Sequence, residues 1–187
     1  MQPVVISHGA MNNKMVHSSF AMELASLGFC VITVTHNDGS ADYSPTYGYP
    51  ELDSETFNYG ARNKQINKRT TEIQRLVREI CEPNRLSEFG PDWSHARLQQ
   101  NLILMGHSFG ALTMLSAARG LADKCPAVIA LDPWFFALQD DDRLRLHESQ
   151  KARIILTQNF PAELRNLDGG KDYYNEKQVA QFATRHK

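Results

Sequence analysis

Cysteine is scarce in this chain. The three thiols, Cys30, Cys81 and Cys125, form no C-x-x-C pair and no metal-ligand cluster with the histidines. That argues against a disulfide framework and against a structural zinc site, both of which need thiols in sets. Charge of one sign is also missing: 20 basic residues stand against 21 acidic ones, for a formal net charge of -1. Nucleic acid held by bulk electrostatics is therefore not an expected partner. No apolar run approaches the ~20 residues that a membrane-spanning helix needs. The opening Met1-Gln2-Pro3 leads straight into Val4-Val5-Ile6, without the basic region, apolar core and cleavage site of a signal peptide. There are no repeats and no low-complexity stretch. Reduced thiols, a cytoplasmic compartment, and neither cofactor nor metal are the expectations. The 187 residues fit one domain with a substantial core.

What the chain does contain centres on Asn101-Leu-Ile-Leu-Met-Gly-His-Ser-Phe-Gly110. An apolar run enters Gly106-His107-Ser108-Phe109-Gly110, and Ala111, Leu112, Met114 and Leu115 continue at helical spacing. This is the pattern of a strand, a sharp turn and a helix with serine at the apex. A serine on such an elbow takes a strained backbone, and its neighbours two positions away lie against the adjoining strand and helix. Glycine suits both places, hence Gly106 and Gly110. The turn presents the hydroxyl at the carboxyl edge of a sheet. It also aims the Phe109 amide, at a helix N-terminus, toward the place where an oxyanion would form.

The remainder alternates strands and helices. Residues 3–7 and 29–35 read as buried strands joined by a helix over 17–27 that uses Phe20, Met22, Leu24 and Ala25 and closes at Gly28. The first strand reads as a central one, so further chain is expected before it. Residues 37–60 form a long polar and aromatic loop with Tyr43, Tyr47 and Tyr49, either functional or a surface excursion. A helix over 61–81 follows, with Ile66, Ile73, Leu76, Val77 and Ile80 as its apolar stripe. Its charges, including Arg62, Arg69 and Glu72, are expected to form a solvated face. Residues 86–100 are an irregular or helical insert. After the elbow a helix over 109–124 is predicted, then strands at 127–131 and 153–157, a loop containing Gly169-Gly170, and a terminal helix over 175–187. The fold class is α/β: a mostly parallel sheet with helices on both faces.

A serine hydroxyl needs a histidine base, itself oriented by a carboxylate, and in this architecture acid and histidine follow the serine at the ends of later strands. Asp132, immediately after the next strand and before Pro133, meets the requirement for the acid, with a turn or cap role as the plain alternative. The run Asp140-Asp141-Asp142 suits a solvated loop. Ser7-His8-Gly9-Ala10 occupies the place of a second oxyanion donor, the Ala10 amide, unless Gly9 only makes a tight turn. The catalytic sites expected are Ser108 and Asp132, with the backbone N–H groups of Ala10 and Phe109 as the oxyanion hole. The base has no good position. His8, His17, His36 and His95 precede the serine, His107 lies inside the elbow, His147 falls in a polar stretch, and His186 sits in a helical pattern at the end. The expectation is that the base lies in chain beyond these residues. Trp134, Phe135 and Phe136 are candidates for core or for an acyl pocket.

Several segments in order resemble the platelet-activating factor acetylhydrolase family, plasma and intracellular type II. They are Ser7-His8-Gly9, Leu24-Ala25-Ser26-Leu27-Gly28-Phe29, His36-x-Asp38-x-Ser40-Ala41, Arg62-Asn63-x-Gln65, Gly106-His107-Ser108-Phe109-Gly110 and Leu131-Asp132-x-Trp134. The resemblance implies an α/β-hydrolase fold, with N- and C-terminal parts beyond this chain. It also implies a calcium-independent serine hydrolase that removes short or oxidised sn-2 acyl chains from phospholipids through an acyl-enzyme. A phospholipid substrate brings with it the possibility of peripheral membrane or lipoprotein contact. The alternatives are a catalytically impaired subunit that uses the fold for packing, and a generic short-chain carboxylesterase or lipase.

Overall fold

A computed structural model describes residues 1–49, 58–82, 85–90, 101–138, 144–160 and 182. Five parallel strands form one sheet: β1 (Gln2–Ser7), β2 (Phe29–Val34), β3 (Ile103–His107), β4 (Ala127–Leu131) and β5 (Lys151–Ile155). Their spatial order is β2-β1-β3-β4-β5. Side chains on a strand alternate between faces, and here the alternation divides two cores. Val5, Cys30, Leu104, Val128 and Ala130 point into the larger one, while Val4, Ile6, Met105 and Ile129 point into a thinner one on the opposite face.

The chain steps from β1 to β2 on one side and then returns to place β3 on the other side of β1. Such a reversal opens a crevice at the carboxyl ends of β1 and β3, because the connections leave in opposite directions. The helices follow from it. α1 (Ser18–Ser26) covers the thinner core, with Leu24 packed on the Val4, Ile6 and Met105 cluster. α2 (Tyr59–Ile80) and α3 (Phe109–Ala118) pack together over the larger one.

α2 begins where the Asn58 side chain accepts the Ala61 amide at 3.1 Å, a cap that satisfies one orphan donor. Its inward stripe is Arg62, Ile66, Arg69, Ile73, Val77 and Ile80, at spacings of three and four residues. The expectation that all its charges lie on a solvated face is therefore wrong for Arg62 and Arg69, which occupy stripe positions between the isoleucines. Every residue of α3 is buried, as suits a central helix packed on several sides.

Two helices differ from their expected limits. The helix expected over 17–27 splits into a 3-10 turn, Lys14–His17, and α1 proper. None of its residues is fully buried, and Phe20 and Met22 remain 42% and 66% exposed. Gly28 closes it as expected, at φ 91° with its amide on the Ala25 carbonyl at 3.0 Å. The helix expected to reach residue 124 ends at Ala118 and continues as a 3-10 turn, Arg119–Leu121. The reason is tertiary: Gln74 Nε2 donates to the Ala117 carbonyl at 3.2 Å, and Gln150 Nε2 to the Ala118 carbonyl at 2.7 Å. Side chains from elsewhere thus satisfy carbonyls that a longer helix would have bonded itself.

The loop expected after β2 is pinned in its described part by a bridge between Asn12 and Ala41 and another between Ser44 and Gly48. A short 3-10 helix, Arg85–Phe89, begins the predicted insert. The Asp140 run, Gly169-Gly170 and the terminal helix lie outside the described residues, except for Phe182, whose ring packs on Phe135 at 6.0 Å. No helix among the described residues is long and apolar enough to cross a membrane.

α1 and α2 should respond differently to truncation. Ile73→Ala, in the fully buried stripe of α2, is expected to cost about 2–5 kcal/mol, read as a lower urea midpoint at unchanged slope. Met22→Ala on α1 should change stability by no more than about 0.5 kcal/mol. Equal effects would contradict the burial assigned to α1.

Candidate active site

β3 runs into Ser108, which sits at φ 55° and ψ -119°, and α3 starts at the next residue. The flanking glycines are a steric necessity. A Cβ on Gly106 would collide with the Gly110 carbonyl, and one on Gly110 with the carbonyls of Ser7 and His8 at the end of β1. The elbow is stitched to its neighbours by backbone bonds. Ser108 N–H donates to the Leu131 carbonyl at 2.9 Å, and the Ser108 carbonyl accepts from Trp134 N–H at 3.3 Å. Ser108 itself is half-buried.

Asp132 stands beside it. His107 pairs with Leu131 in the register of β3 and β4, so the next residue of each strand lies on the same carboxyl edge. Asp132 is buried and has φ 44°. Thr157, just past β5, holds its carboxylate twice: the amide donates to Oδ1 at 2.6 Å and the hydroxyl to Oδ2 at 2.8 Å.

On the other side of β3, the segment after β1 passes against the elbow. A Cβ on Gly9 would lie 3.4 Å from Ser108 Cβ and 3.5 Å from His107 Nδ1, so the backbone of Gly9 and Ala10 runs alongside the serine. This segment is held from both ends. Arg69 Nη1 donates to the His8 carbonyl at 2.8 Å, and Met11 N–H donates to the Ser40 carbonyl at 2.7 Å.

Beneath it lies a network of charged and polar groups. Arg69, fully buried, also binds Asp38 Oδ2 through Nε at 2.8 Å and the Ser40 hydroxyl through both Nε and Nη2. Burial opposes ionisation of Asp38, yet Arg69 and the two Ser40 hydrogen bonds outweigh it and hold the carboxyl below its ordinary range. His8 Nε2 accepts the His36 amide at 3.2 Å, which leaves Nδ1 as the protonated nitrogen donating to the Gly9 carbonyl at 2.6 Å. His36 Nδ1 donates to Glu72 at 2.8 Å, and its Nε2 accepts the Ser7 hydroxyl at 2.8 Å. Burial, reinforced by the Arg69 guanidinium, lowers His8 to about 3 and holds His36 well below the usual imidazole range. Both rings are therefore neutral, and the His36–Glu72 contact is a hydrogen bond to a carboxylate rather than an ion pair.

Sequence reasoning placed Arg62, Arg69 and Glu72 on a solvated face and named His36, Asp38 and Arg62 only within segments of the resemblance, so it gave none of them a role in the site. A signal was present: Arg62 and Arg69 are seven residues apart and in phase with Ile66 and Ile73. Trp134 and Phe135 belong to the core, Trp134 at 5.9 Å from the Phe109 ring, while Phe136 is half-buried and stacks on Trp134. Among the described histidines none bridges Ser108 and Asp132. His8 and His36 are committed to the network, and His147 bonds the Ser149 hydroxyl at 2.8 Å. His107 continues the alternation of Ile103 and Met105 and packs edge-on against His17 and Phe160. His95 and His186 lie outside the described residues. Among the described residues, no group of three or more His, Cys, Asp or Glu is placed to hold a metal ion. A cleft of about 900 Å³ opens at the opposite, amino half of β4 and β5, lined by Ala127, Ile129, His147, Lys151 and Arg153, far along the strands from Ser108.

A parallel sheet with a strained serine between glycines at the end of one strand, and a held carboxylate at the end of the next, defines an α/β-hydrolase fold. The sequence profile of the family "Platelet-activating factor acetylhydrolase, isoform II" matches residues 2–182, and the chain belongs to that family. It is 30% identical over 163 residues to a platelet-activating factor acetylhydrolase of Canis lupus familiaris, covering 73% of this chain and 36% of the relative. The corresponding protein of Gallus gallus is 30% identical over 173 residues, covering 74% and 40%. The chain thus spans well under half the length of these relatives. A crystal structure of an uncharacterized protein from Bacillus cereus ATCC 10987 shares the fold, with a TM-score of 0.58 at 12% identity over 99% of this chain and 49% of that one.

The neutral histidines give a pH test. Below the ordinary imidazole pKa of 6.5 the unfolded chain takes up a proton on each ring, whereas folded His8 resists until about 3. The unfolded state then binds more protons, so stability should fall as pH drops from 6.5 toward 4, by on the order of 1 kcal/mol per pH unit for each ring. Asp38 adds to the loss only below the ordinary carboxylate range. Glu72, raised chiefly by burial, works in the opposite sense and softens the slope near pH 4.5. Urea midpoints across this range provide the check, and a flat profile would contradict neutral, buried rings.

Proposed function

We propose that the chain carries the nucleophile, acid and oxyanion elements of a carboxylic-ester hydrolase acting on the short or oxidised sn-2 acyl ester of phospholipids, without calcium. The observation that carries this is the left-handed backbone of Ser108 between two glycines that tolerate no side chain, with Asp132 held by Thr157 on the adjoining strand. Such strain is maintained only where the surroundings enforce it, and it clusters at reactive positions. The names of the dog and chicken relatives support the phospholipid substrate.

In this mechanism Ser108 Oγ attacks the ester carbonyl carbon while its proton passes to an imidazole. The carbonyl oxygen, now carrying the charge, accepts hydrogen bonds from the amides of Ala10 and Phe109. Collapse of the tetrahedral intermediate breaks the ester C–O bond, and the imidazolium returns the proton to the departing lysophospholipid alkoxide. Water then hydrolyses the acyl-serine with the same imidazole as base, releasing the carboxylic acid. Asp132 orients that imidazole and stabilises its cation. The imidazole comes from outside the described residues.

The gene product in its natural length should hydrolyse a short-chain p-nitrophenyl ester and a 2-acetyl phospholipid, unaffected by EDTA, and should be labelled at one residue by a fluorophosphonate. Ser108→Ala is expected to remove the label and to lower kcat by more than about 10³-fold. Asp132→Asn should lower it by about 10⁴-fold with KM little changed. Full activity in Ser108→Ala would end the serine-hydrolase assignment. Hydrolysis of the simple ester but not of the phospholipid would replace the substrate class with that of a general carboxylesterase.

A further inference from the structure

Arg69 touches both halves of the oxyanion hole. One nitrogen, Nη1, donates to the His8 carbonyl at 2.8 Å, two residues before Ala10. The Cζ of the same guanidinium lies 4.6 Å from the centroid of the Phe109 ring, over it, and the Phe109 amide is the other donor. Its remaining edge is spoken for: Nε bonds Asp38 Oδ2 at 2.8 Å and Ser40 Oγ at 3.0 Å, and Nη2 bonds Ser40 Oγ as well. The loop residue Ser40 closes the circuit, because its carbonyl takes the Met11 amide at 2.7 Å. The two residues of interest, Gly9 and Ala10, therefore hang between one anchor on Arg69 and another on the partner of Arg69. The side chains of Arg69 and Asp38 are fully buried, and so is Ser40.

We propose that Arg69 is a positioning residue that sets the distance between the Ala10 and Phe109 amides, and through it the stabilisation of the transition-state oxyanion. This rests on the assignment of those two amides as the oxyanion donors. Three properties make arginine suited to the place. The guanidinium is planar, so one face packs on an aromatic ring while the edge donates in three directions. Its bonds are charge-assisted and rigid in direction. It stays ionised even where burial disfavours charge, with Asp38 beside it to compensate. A lysine would supply one point of charge and could not hold the His8 carbonyl, Asp38 and Ser40 together. The donors need to be right to within a fraction of an ångström, since a misplacement of about 1 Å can cost on the order of 10²-fold in rate.

The test uses the gene product in its natural length, with p-nitrophenyl acetate as substrate and an alkyl trifluoromethyl ketone as the tetrahedral, oxyanion-forming analogue. Arg69→Lys and Arg69→Ala should lower kcat by about 10²-fold, the range for loss of one oxyanion donor, with KM changed less than about threefold. Affinity for the trifluoromethyl ketone should fall in parallel with kcat. Activity is expressed per fluorophosphonate-titrated site, so that unfolded protein does not count. Added guanidinium at low millimolar concentration should restore part of kcat to Arg69→Ala and none to Arg69→Lys. Should the lone Asp38 prevent Arg69→Ala from folding, the double variant Arg69→Met with Asp38→Asn removes both charges and should show the same loss. Lys68→Met, on the exposed side of α2, serves as the unchanged control. Wild-type kcat per titrated site in folded Arg69 variants overturns the proposal. So does a loss in KM alone, or a loss of kcat with no change in affinity for the ketone. If Ser108→Ala retains turnover, the failure belongs instead to the assignment of the active site.

Discussion

The backbone of Gly110 lies so close to the carbonyls of Ser7 and His8 that a methyl group has no room there. That contact, between the first turn of α3 and the end of β1, is what brings together the two halves of the site. It lets the buried helix come down onto the sheet, it forces Ser108 into a left-handed backbone, and it sets the loop of Gly9 and Ala10 beside the hydroxyl. The reversal of strand order on either side of β1 supplies the crevice, and the absence of two side chains allows it to close.

Close approach alone would leave a floppy edge. The loops after β1 and β2 cannot donate their backbone groups to a sheet ladder, so their order must come from elsewhere. Here it comes from a buried network in which Arg69 and Asp38 are paired, and in which burial, reinforced by the guanidinium, keeps two histidines neutral. Such a pair adds little to net stability, since desolvation offsets most of the attraction. Its effect is on conformation: removing either partner leaves an unpaired charge, so alternative arrangements of the loops are strongly disfavoured. Thr157 does the equivalent on the other side, gripping both oxygens of Asp132 from beyond β5. The site is thus braced from α2 on one flank and from β5 on the other.

Much of this was legible from residues alone. Apolar runs of strand length, a serine between two glycines with a helix pattern behind it, and an aspartate after the next apolar run located the sheet, the elbow and its neighbour. The resemblance to platelet-activating factor acetylhydrolases rested on the same segments that the family profile spans. The less successful readings share one cause. Arg62 and Arg69 were placed with the solvent because charge usually goes there, and α1 was given a buried stripe because its apolar spacing allowed one. In each instance the outcome depended on what a distant part of the chain contributed. Asp38 meets Arg69 across 31 positions, and Gln74 and Gln150 end α3 from other elements altogether.

Local chemistry determined the strands, the strained serine and the aspartate that follows the next strand, because glycine pattern, β-branched runs and helix periodicity act between near neighbours. Whether a given arginine is a solvated charge or a buried strut was decided only by the tertiary structure. The free energy of a charge depends on its whole surroundings, and those are assembled from segments that the sequence keeps far apart.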